Sequence, residues 1–210
     1  LIRGLLMPNG DRATVLVVDD EPDIVDRQAT RLESTFRVHR AYGGREALAE
    51  FDGAVDVALL GRRMPDLSGD EVLSRFREAG HDCRAVMLSG VGPSPDIAET
   101  GFDDYLRKPV DEDALFDCVE SLLARRTYDT VLREFYSVAR RTALIETEHG
   151  AAELADHGAY RRLVERRREL YDRLDDAVDD LREMERFAVA IGEAIPDSED
   201  PGSGPRADSD

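Results

Sequence analysis

Five short apolar segments, each followed by a stretch with helical periodicity, make up the first 125 residues. We predict strands at 14–18, 36–41, 55–60, 85–88 and 104–106. The third of these is continuous in apolar residues, as expected for a strand that is covered on both faces. Successive βα units imply a parallel sheet with right-handed crossovers. The sequence therefore predicts an α/β domain with a doubly wound parallel sheet.

The segments between the predicted strands have the apolar spacing of amphipathic helices. One helix carries Pro22 in its first turn, and further helices are predicted at 46–51, 71–79 and 111–125. The pair Gly43-Gly44 is interpreted as a turn. The connection 91–100 contains two prolines, which leaves room only for a short helix at 96–100.

The pattern changes after Tyr128 to helical spacing without strands. A break at 156–158 separates two helical segments, and the second carries a seven-residue apolar repeat. This pattern predicts a helical hairpin or a coiled-coil arm. The last residues are rich in Pro, Ser, Gly and Asp and are expected to be disordered. The predicted organisation is an extension at 1–13, an α/β domain at 14–126, a helical domain at 127–195 and an acidic tail at 196–210.

The composition is acidic, with 46 acids, 28 bases and a formal net charge of −18. Lys108 is the one lysine among the bases. This charge favours a solvation-adapted surface over a specific cationic partner, and it argues against general nucleic-acid binding by the whole chain. Two separated cysteines, Cys83 and Cys118, indicate neither a disulfide framework nor a zinc site. With no apolar run long enough for a membrane span, we expect a cytoplasmic protein.

Polar residues follow the predicted strands at the points where each strand ends. Asp19 and Asp20 follow the first strand, Gly61 ends the third, Ser89 ends the fourth and Lys108 follows the fifth. The carboxyl ends of parallel strands meet at one edge of a sheet, so these residues should converge there. By ligand type, two adjacent carboxylates suit Mg²⁺ or Ca²⁺, although a helix-capping turn is an alternative interpretation of the pair.

Four motifs together give the chain its resemblance to a known family. They are 17–22 (VVDDEP), 64–69 (MPDLSG), 86–90 (VMLSG) and 103–109 (DDYLRKP). They resemble the receiver domain of two-component response regulators, over about residues 14–125. The resemblance implies a flavodoxin-like (βα)5 fold and a phosphorelay role without substrate turnover.

The resemblance also implies a role for each residue of this edge. It implies that Asp19 and Asp20 hold Mg²⁺, and that Ser89 and Tyr105 rearrange around a phosphoryl group on a neighbouring aspartate. Lys108 would contact that phosphoryl group. A cis Lys108-Pro109 peptide bond is implied as well.

The phospho-acceptor of that family falls on position 61, where this chain has glycine. Glycine offers no nucleophile, so we expect no phosphorylation at Gly61 and weak Mg²⁺ binding. Lys108 is then free to pair with Asp19 or Asp20. Three interpretations stay open: a pseudo-receiver that works by protein contacts, a degenerate copy that does not switch, and phosphorylation at Asp20 or Asp66. Asp66 is interpreted as a loop or cap residue.

Residues 127–195 resemble the HalX domain that follows receivers in haloarchaeal proteins. Local features such as Tyr128, 143–146 and 160–163 carry this resemblance. Expected partners are a sensor histidine kinase or another signalling protein, and a homodimer through 128–195 is left open. Arginines between 161 and 168 are interpreted as a solvated face with Arg161–Glu165 and Arg168–Asp172 pairs. The alternative function is a DNA-binding transcription regulator that uses these helices.

Overall fold

The computed structural model describes most of the chain between Arg12 and Ala194. The described residues are 12–51, 53–91, 101–150, 153–154 and 157–194, with side chains described up to Arg182. Three predictions lie outside these residues: almost all of the N-terminal extension, the short helix at 96–100 and the acidic tail.

The described part of the chain contains one sheet of five parallel strands. They are β1 (Thr14–Val18), β2 (Arg37–Ala41), β3 (Val57–Gly61), β4 (Arg84–Ser89) and β5 (Asp104–Arg107). The strand order is β2-β1-β3-β4-β5. All five strand predictions are confirmed, with ends that differ by two residues at most. The order reverses beside β1, and in such sheets the crevice at the carboxyl ends of the strands is the usual ligand site.

Five helices accompany the sheet in the described residues. They are α1 (Pro22–Leu32), α2 (Gly44–Glu50), α3 (Gly69–Glu78), α4 (Glu112–Glu148) and α5 (Gly158–Ala194). The helices α2 and α3 begin two residues earlier than predicted, so Gly44 opens a helix and is not part of a free turn. Helix α3 begins at a capping box in which Ser68 accepts from the Glu71 amide while Glu71 accepts from the Ser68 amide.

Two apolar cores lie on opposite faces of the sheet. Alternate residues of the strands, such as Val15 and Leu59, pack with α1 and the first part of α4. The other residues of the strands, such as Leu16 and Leu60, point to the opposite face. They pack with α2 and α3, and this core includes the fully buried Phe76 of α3. Helices on both faces of a parallel sheet confirm the doubly wound α/β fold.

Helix α4 is longer than predicted and passes through the predicted domain boundary. The predicted helix ends at Arg125, whereas α4 continues to Glu148. The physical reason is the absence of a glycine or proline near the boundary, together with an apolar stripe that continues across it. Ala124, Val131 and Val138 follow one another at intervals of seven residues and are all buried.

The distal part of α4 forms an antiparallel hairpin with α5, which confirms the predicted helical hairpin. Its small core combines three buried residues with three half-buried ones, namely Val131, Val138, Leu170, Phe135, Leu163 and Leu174. Arg166 crosses between the helices and donates to Glu134 from Nε at 3.0 Å and from Nη2 at 2.8 Å. None of the described helices has both the length and the apolar character needed to span a membrane.

The ion pairs of α5 differ from the predicted ones. Arg166 also pairs with Glu169 at 3.1 Å, and Arg167 lies 3.8 Å from Glu146 on α4. The Arg161–Glu165 and Arg168–Asp172 pairs are not formed among the described side chains. Those two predictions were wrong: Arg161 and Arg168 are exposed and make no ion pair among the described side chains, since a solvated pair at this spacing gains too little to hold two long side chains together.

Candidate functional site

The ends of four strands place the predicted site residues side by side. Residue Gly61, at the end of β3, pairs with Leu88 of β4. The Lys108 amide donates to the Ser89 carbonyl at 2.8 Å, which fixes the residue after β5 beside the end of β4. Asp19 directly follows β1, and its amide donates to the Ala41 carbonyl at 3.2 Å. The convergence predicted for this edge is therefore present in the structure.

Asp19 and Lys108 form an ion pair at the centre of this edge. The Asp19 side chain is fully buried, while that of Lys108 is 22% exposed. Oδ2 of Asp19 accepts from Lys108 Nζ, and Oδ1 accepts from the Glu21 amide at 3.2 Å. Of the two aspartates predicted as partners of Lys108, it is Asp19 that forms the pair. The Lys108-Pro109 peptide bond is cis, as the resemblance implied.

The Asp19 carboxylate occupies the space that a side chain at position 61 would enter. A Cβ built on Gly61 would lie 2.8 Å from Oδ2 of Asp19 and 3.3 Å from its Cγ. The first distance is shorter than real Cβ contacts, so any larger residue here requires Asp19 to move. The Asp19–Lys108 pair and Gly61 thus form one closely packed arrangement.

The described residues do not make a ligand set that suits Mg²⁺. Divalent cations of this kind need several oxygen ligands, usually including one or two carboxylates. Both oxygens of Asp19 already accept from protein donors, and Gly61 supplies no third carboxylate. Asp20 is exposed, and no group of three acidic, His or Cys side chains in the described residues is close enough to hold a metal. The described side chains therefore supply at most the two carboxylates of Asp19 and Asp20, of which Asp19 is already paired with Lys108.

Ser89 and Tyr105, the predicted switch positions, both contact Val91. The Val91 amide donates to Ser89 Oγ at 3.3 Å, and Tyr105 Oη donates to the Val91 carbonyl at 2.6 Å. Ser89 is buried, whereas Tyr105 is half-buried and its ring centre lies 6.0 Å from that of Phe102. The two side chains therefore anchor the start of the segment that follows β4.

Arg62 also lies at this edge, although the sequence motifs did not indicate it. Its Nε donates to Asp70 Oδ2 at 3.2 Å, and its side chain is only 18% exposed. The hydrogen bond to Asp70 raises the pKa of Arg62, with a smaller contribution from Tyr105. The sequence feature that indicates this ion pair is an arginine directly after a strand, followed by an aspartate in the first turn of the next helix.

Asp66 caps α2 from the loop that connects β3 to α3. Its carboxylate accepts from the amides of Gly44 at 3.1 Å, Arg45 at 2.9 Å and Leu67 at 2.8 Å. The backbone hydrogen bonds, that of Arg45 first, lower the pKa of Asp66. A Cβ on Gly44 would lie 2.5 Å from the Leu67 carbonyl oxygen, so the loop packs directly on the start of α2. Asp66 is thus a loop residue that caps a helix, as interpreted, but the helix is α2, which the sequence did not indicate.

Comparison with known proteins identifies the family of the α/β domain. A model of the response regulator receiver domain matches residues 15–120. The chain belongs to the response regulator receiver family. A model of the HalX domain matches residues 124–191, so the receiver is followed by a HalX domain. Both resemblances stated from the motifs are confirmed.

The relatives of this receiver are regulators of greater length. A Haloferax volcanii protein named as a candidate transcriptional regulator is 45% identical over 134 residues, which cover 63% of this chain and 23% of that protein. The transcriptional regulatory protein CpxR of Klebsiella pneumoniae is 33% identical over 53% of this chain and 49% of its own length. The chain thus spans half or less of the length of these relatives.

Solved receiver structures have the same fold. The response regulator DrrB of Thermotoga maritima gives a TM-score of 0.51 at 26% identity, covering 55% of this chain and 54% of that one. The chemotaxis protein CheY4 of Vibrio cholerae gives a TM-score of 0.50 at 28% identity, covering 53% of this chain and 99% of that one. These matches support the assignment of the first half of the chain as a receiver.

Proposed function

We propose that this chain is an atypical receiver that relays a signal through protein contacts without being phosphorylated at position 61. The observation that carries the proposal is the combination of Gly61 with the Asp19 carboxylate. Position 61 has no side chain to attack a phosphodonor, and the neighbouring carboxylate fills the space beside it. The proposed partners are signalling proteins, among them a sensor histidine kinase.

The charge arrangement supports this proposal because the charge of Lys108 is balanced without a phosphoryl group. In a phosphorylated receiver the lysine of this edge would have an anionic ligand to contact, whereas here Lys108 already pairs with Asp19. A ligand shifts a two-state equilibrium only by its difference in affinity for the two states. Since Gly61 cannot carry a phosphoryl group, a partner that prefers one state of the receiver supplies that difference.

Treatment with a small-molecule phosphodonor and Mg²⁺, followed by intact-mass measurement, tests the proposal. We expect the unaltered protein to gain no phosphoryl group, and the Gly61→Asp variant to gain one. Asp20→Asn and Asp66→Asn variants locate any modification of the unaltered protein. A phosphoryl group on the unaltered protein that is lost with Asp20→Asn would contradict the proposal. We expect no such group at Asp66, since three amide hydrogen bonds hold its carboxylate.

DNA-binding transcription regulation is the second candidate function. Arg161, Arg162 and Arg168 are exposed on the HalX hairpin, and the Haloferax relative is named as a candidate transcriptional regulator. Fluorescence anisotropy with labelled duplex DNA at several salt concentrations tests this function. Binding that weakens steeply with salt and is lost in an Arg161→Glu, Arg162→Glu variant would favour it. Absence of binding at low salt would exclude it for this chain.

A further inference from the structure

The charges of α5 are divided between two consecutive segments. From 161 to 168 the helix carries five arginines and one glutamate, a formal charge of +4. From 169 to 180 it carries six acids and one arginine, a formal charge of −5. We call these the basic segment and the acidic segment. At 1.5 Å of rise per residue, their exposed charges are centred about 16 Å apart along the helix.

Several charges of both segments face solvent without an ion-pair partner in the described part of the chain. In the basic segment Arg166 and Arg167 pair with glutamates of α4, but three exposed arginines do not. In the acidic segment three exposed aspartates also make no ion pair. These six residues are Arg161, Arg162, Arg168, Asp172, Asp175 and Asp176.

Four of these residues share one face of the helix. Arg161, Arg168, Asp172 and Asp175 are separated by seven, four and three residues, which keeps them within about 60° of one another around the helix axis. The buried Leu170 lies on the opposite face, against α4. The exposed face of α5 is thus a stripe with a net positive charge at one end, where Glu165 lies between Arg161 and Arg168, and a negative charge at the other.

The order of these charges does not stabilise the helix that carries them. The helix dipole favours acids in the first turn and bases in the last, whereas α5 has Arg161 and Arg162 near its start. A base four residues before an acid is also the weaker orientation of an ion pair within a helix. The hairpin accounts for Arg166 and Arg167, but neither the helix dipole nor the ion pairs of the hairpin account for the three unpaired arginines and the three unpaired aspartates.

We propose that two copies of this chain associate through the exposed face of α5, with the two helices antiparallel. In that arrangement the basic segment of one copy lies opposite the acidic segment of the other, twice over, about a two-fold axis near residues 169–171. A parallel arrangement would place like charges together. The proposal concerns α5 alone and does not depend on the proposed function of the receiver.

An apolar edge beside the charged stripe supports the same arrangement. Val164, Tyr171 and Val178 follow at intervals of seven residues, so they lie on one line along the helix. Tyr171 is 61% exposed, and its ring centre is 6.3 Å from that of Phe135 on α4. Since Tyr171 lies at the proposed two-fold axis, the dimer brings the two Tyr171 rings together and removes apolar surface from water. An aromatic side chain near the centre of an interface is typical of residues that dominate binding.

The acidic segment favours a second copy over a nucleic acid as the occupant of this face. A duplex lying along the stripe would meet Asp172, Asp175 and Asp176 as well as the arginines, and phosphates repel these carboxylates. A second antiparallel copy instead places an opposite charge on each segment. The self-complementary pattern of the helix thus matches the requirement of an isologous interface.

Two charge-reversal variants of the full chain test the proposal. The first carries Arg161→Glu, Arg162→Glu and Arg168→Glu, and the second carries Asp172→Arg, Asp175→Arg and Asp176→Arg. We expect sedimentation velocity to show a dimer for the unaltered protein. In each variant alone, like charges face each other, and we expect the dissociation constant to rise by about 100-fold or more. We expect an equal mixture of the two variants to form a heterodimer.

A control variant changes the same number of charges at a distance from α5. Arg37→Glu, Arg45→Glu and Arg75→Glu alter exposed arginines of the receiver, and this variant should remain dimeric. Circular dichroism verifies that every variant is folded. Recovery in the mixture separates a specific interface from a general effect of charge or stability on either variant.

Three results would overturn the proposal. One is a monomeric unaltered protein at every concentration measured, and another is a mixture of the two reversal variants that stays monomeric. The third is a monomer that binds duplex DNA and loses this binding in the arginine variant, which would make the face a nucleic-acid surface. Repeating the measurements over a range of KCl concentrations should show that salt weakens the dimer by screening the charge pairs.

Discussion

Replacing Lys108 with methionine should destabilise the receiver substantially. Methionine keeps most of the apolar stem but removes the cation that pairs with the fully buried Asp19 carboxylate. Removing one partner of a buried ion pair costs about 3–5 kcal/mol. The Lys108 side chain is 22% exposed, so water partly compensates the loss. We therefore expect a loss of stability near the lower end of this range, at about 3 kcal/mol. For a chain of this size that loss lowers the Tm by about 6–12 °C.

A double-mutant cycle separates the ion pair from other effects of the substitution. Asp19→Asn removes the buried charge but keeps an oxygen that can accept from the Glu21 amide. We expect the free energies of unfolding of Lys108→Met, Asp19→Asn and the double variant, measured in urea, to give a coupling of about 2 kcal/mol. Arg107→Met is the matched control, since Arg107 is exposed, and its effect should stay within about 0.5 kcal/mol. Additive losses, or a Lys108→Met loss as small as that of the control, would refute the reasoning.

Further predictions concern the contacts that surround the site and the helix that leaves it. Buried Asp56 accepts from the Thr14 amide at 2.8 Å and from Arg126 Nη1 at 2.6 Å, so Asp56→Ala should cost about 2–4 kcal/mol in urea unfolding. A loss below about 0.5 kcal/mol would show that this contact does not hold α4 to the sheet. Gly44→Ala should cost about 1–3 kcal/mol, since its Cβ meets a backbone oxygen; an unchanged Tm would contradict this packing. The lowered pKa of Asp66 stabilises the fold above the ordinary value of 3.8, and this contribution is lost as the pH falls through the folded-state pKa. The stability gap between the protein and Asp66→Asn should therefore be constant above the ordinary pKa of 3.8 and narrow as the pH falls below it, through the folded-state pKa. A gap that is independent of pH would rule this out.

The fold and the centre of the site could be predicted from the sequence because both depend on local patterns. Apolar segments with turn residues at their ends located all five strands of the described sheet. Parallel strands bring their carboxyl ends to one edge, and this rule alone placed Asp19, Gly61 and Lys108 together. The pairing of Lys108 with an aspartate could be predicted because glycine at position 61 provides no carboxylate, so the ammonium group of Lys108 is free to pair with Asp19 or Asp20.

Contacts between distant parts of the chain could not be predicted in this way. Asp66 caps a helix that begins 22 residues earlier, and the sequence spacing gives no signal for that contact. Arg166 pairs with Glu134 across the hairpin because the helix register places them together, whereas the spacing rule favoured Arg161 with Glu165. The length of α4 was underestimated because the change in pattern after Tyr128 was interpreted as a boundary, although no residue there interrupts a helix.

The most direct test of the central claim uses Lys108 as a reporter of the site. Lys108 is the one lysine of the chain, so labelling with ¹⁵N-lysine gives a single assigned amide signal beside Asp19 and Ser89. Beryllofluoride, a phosphoryl mimic that attaches to an acceptor carboxylate, is added together with Mg²⁺ to the protein and to the Gly61→Asp variant. We predict an unchanged Lys108 signal in the protein and a shifted signal in the variant. A saturable shift in the unaltered protein that Mg²⁺ alone does not produce would show that the site still accepts a phosphoryl group and would contradict the account.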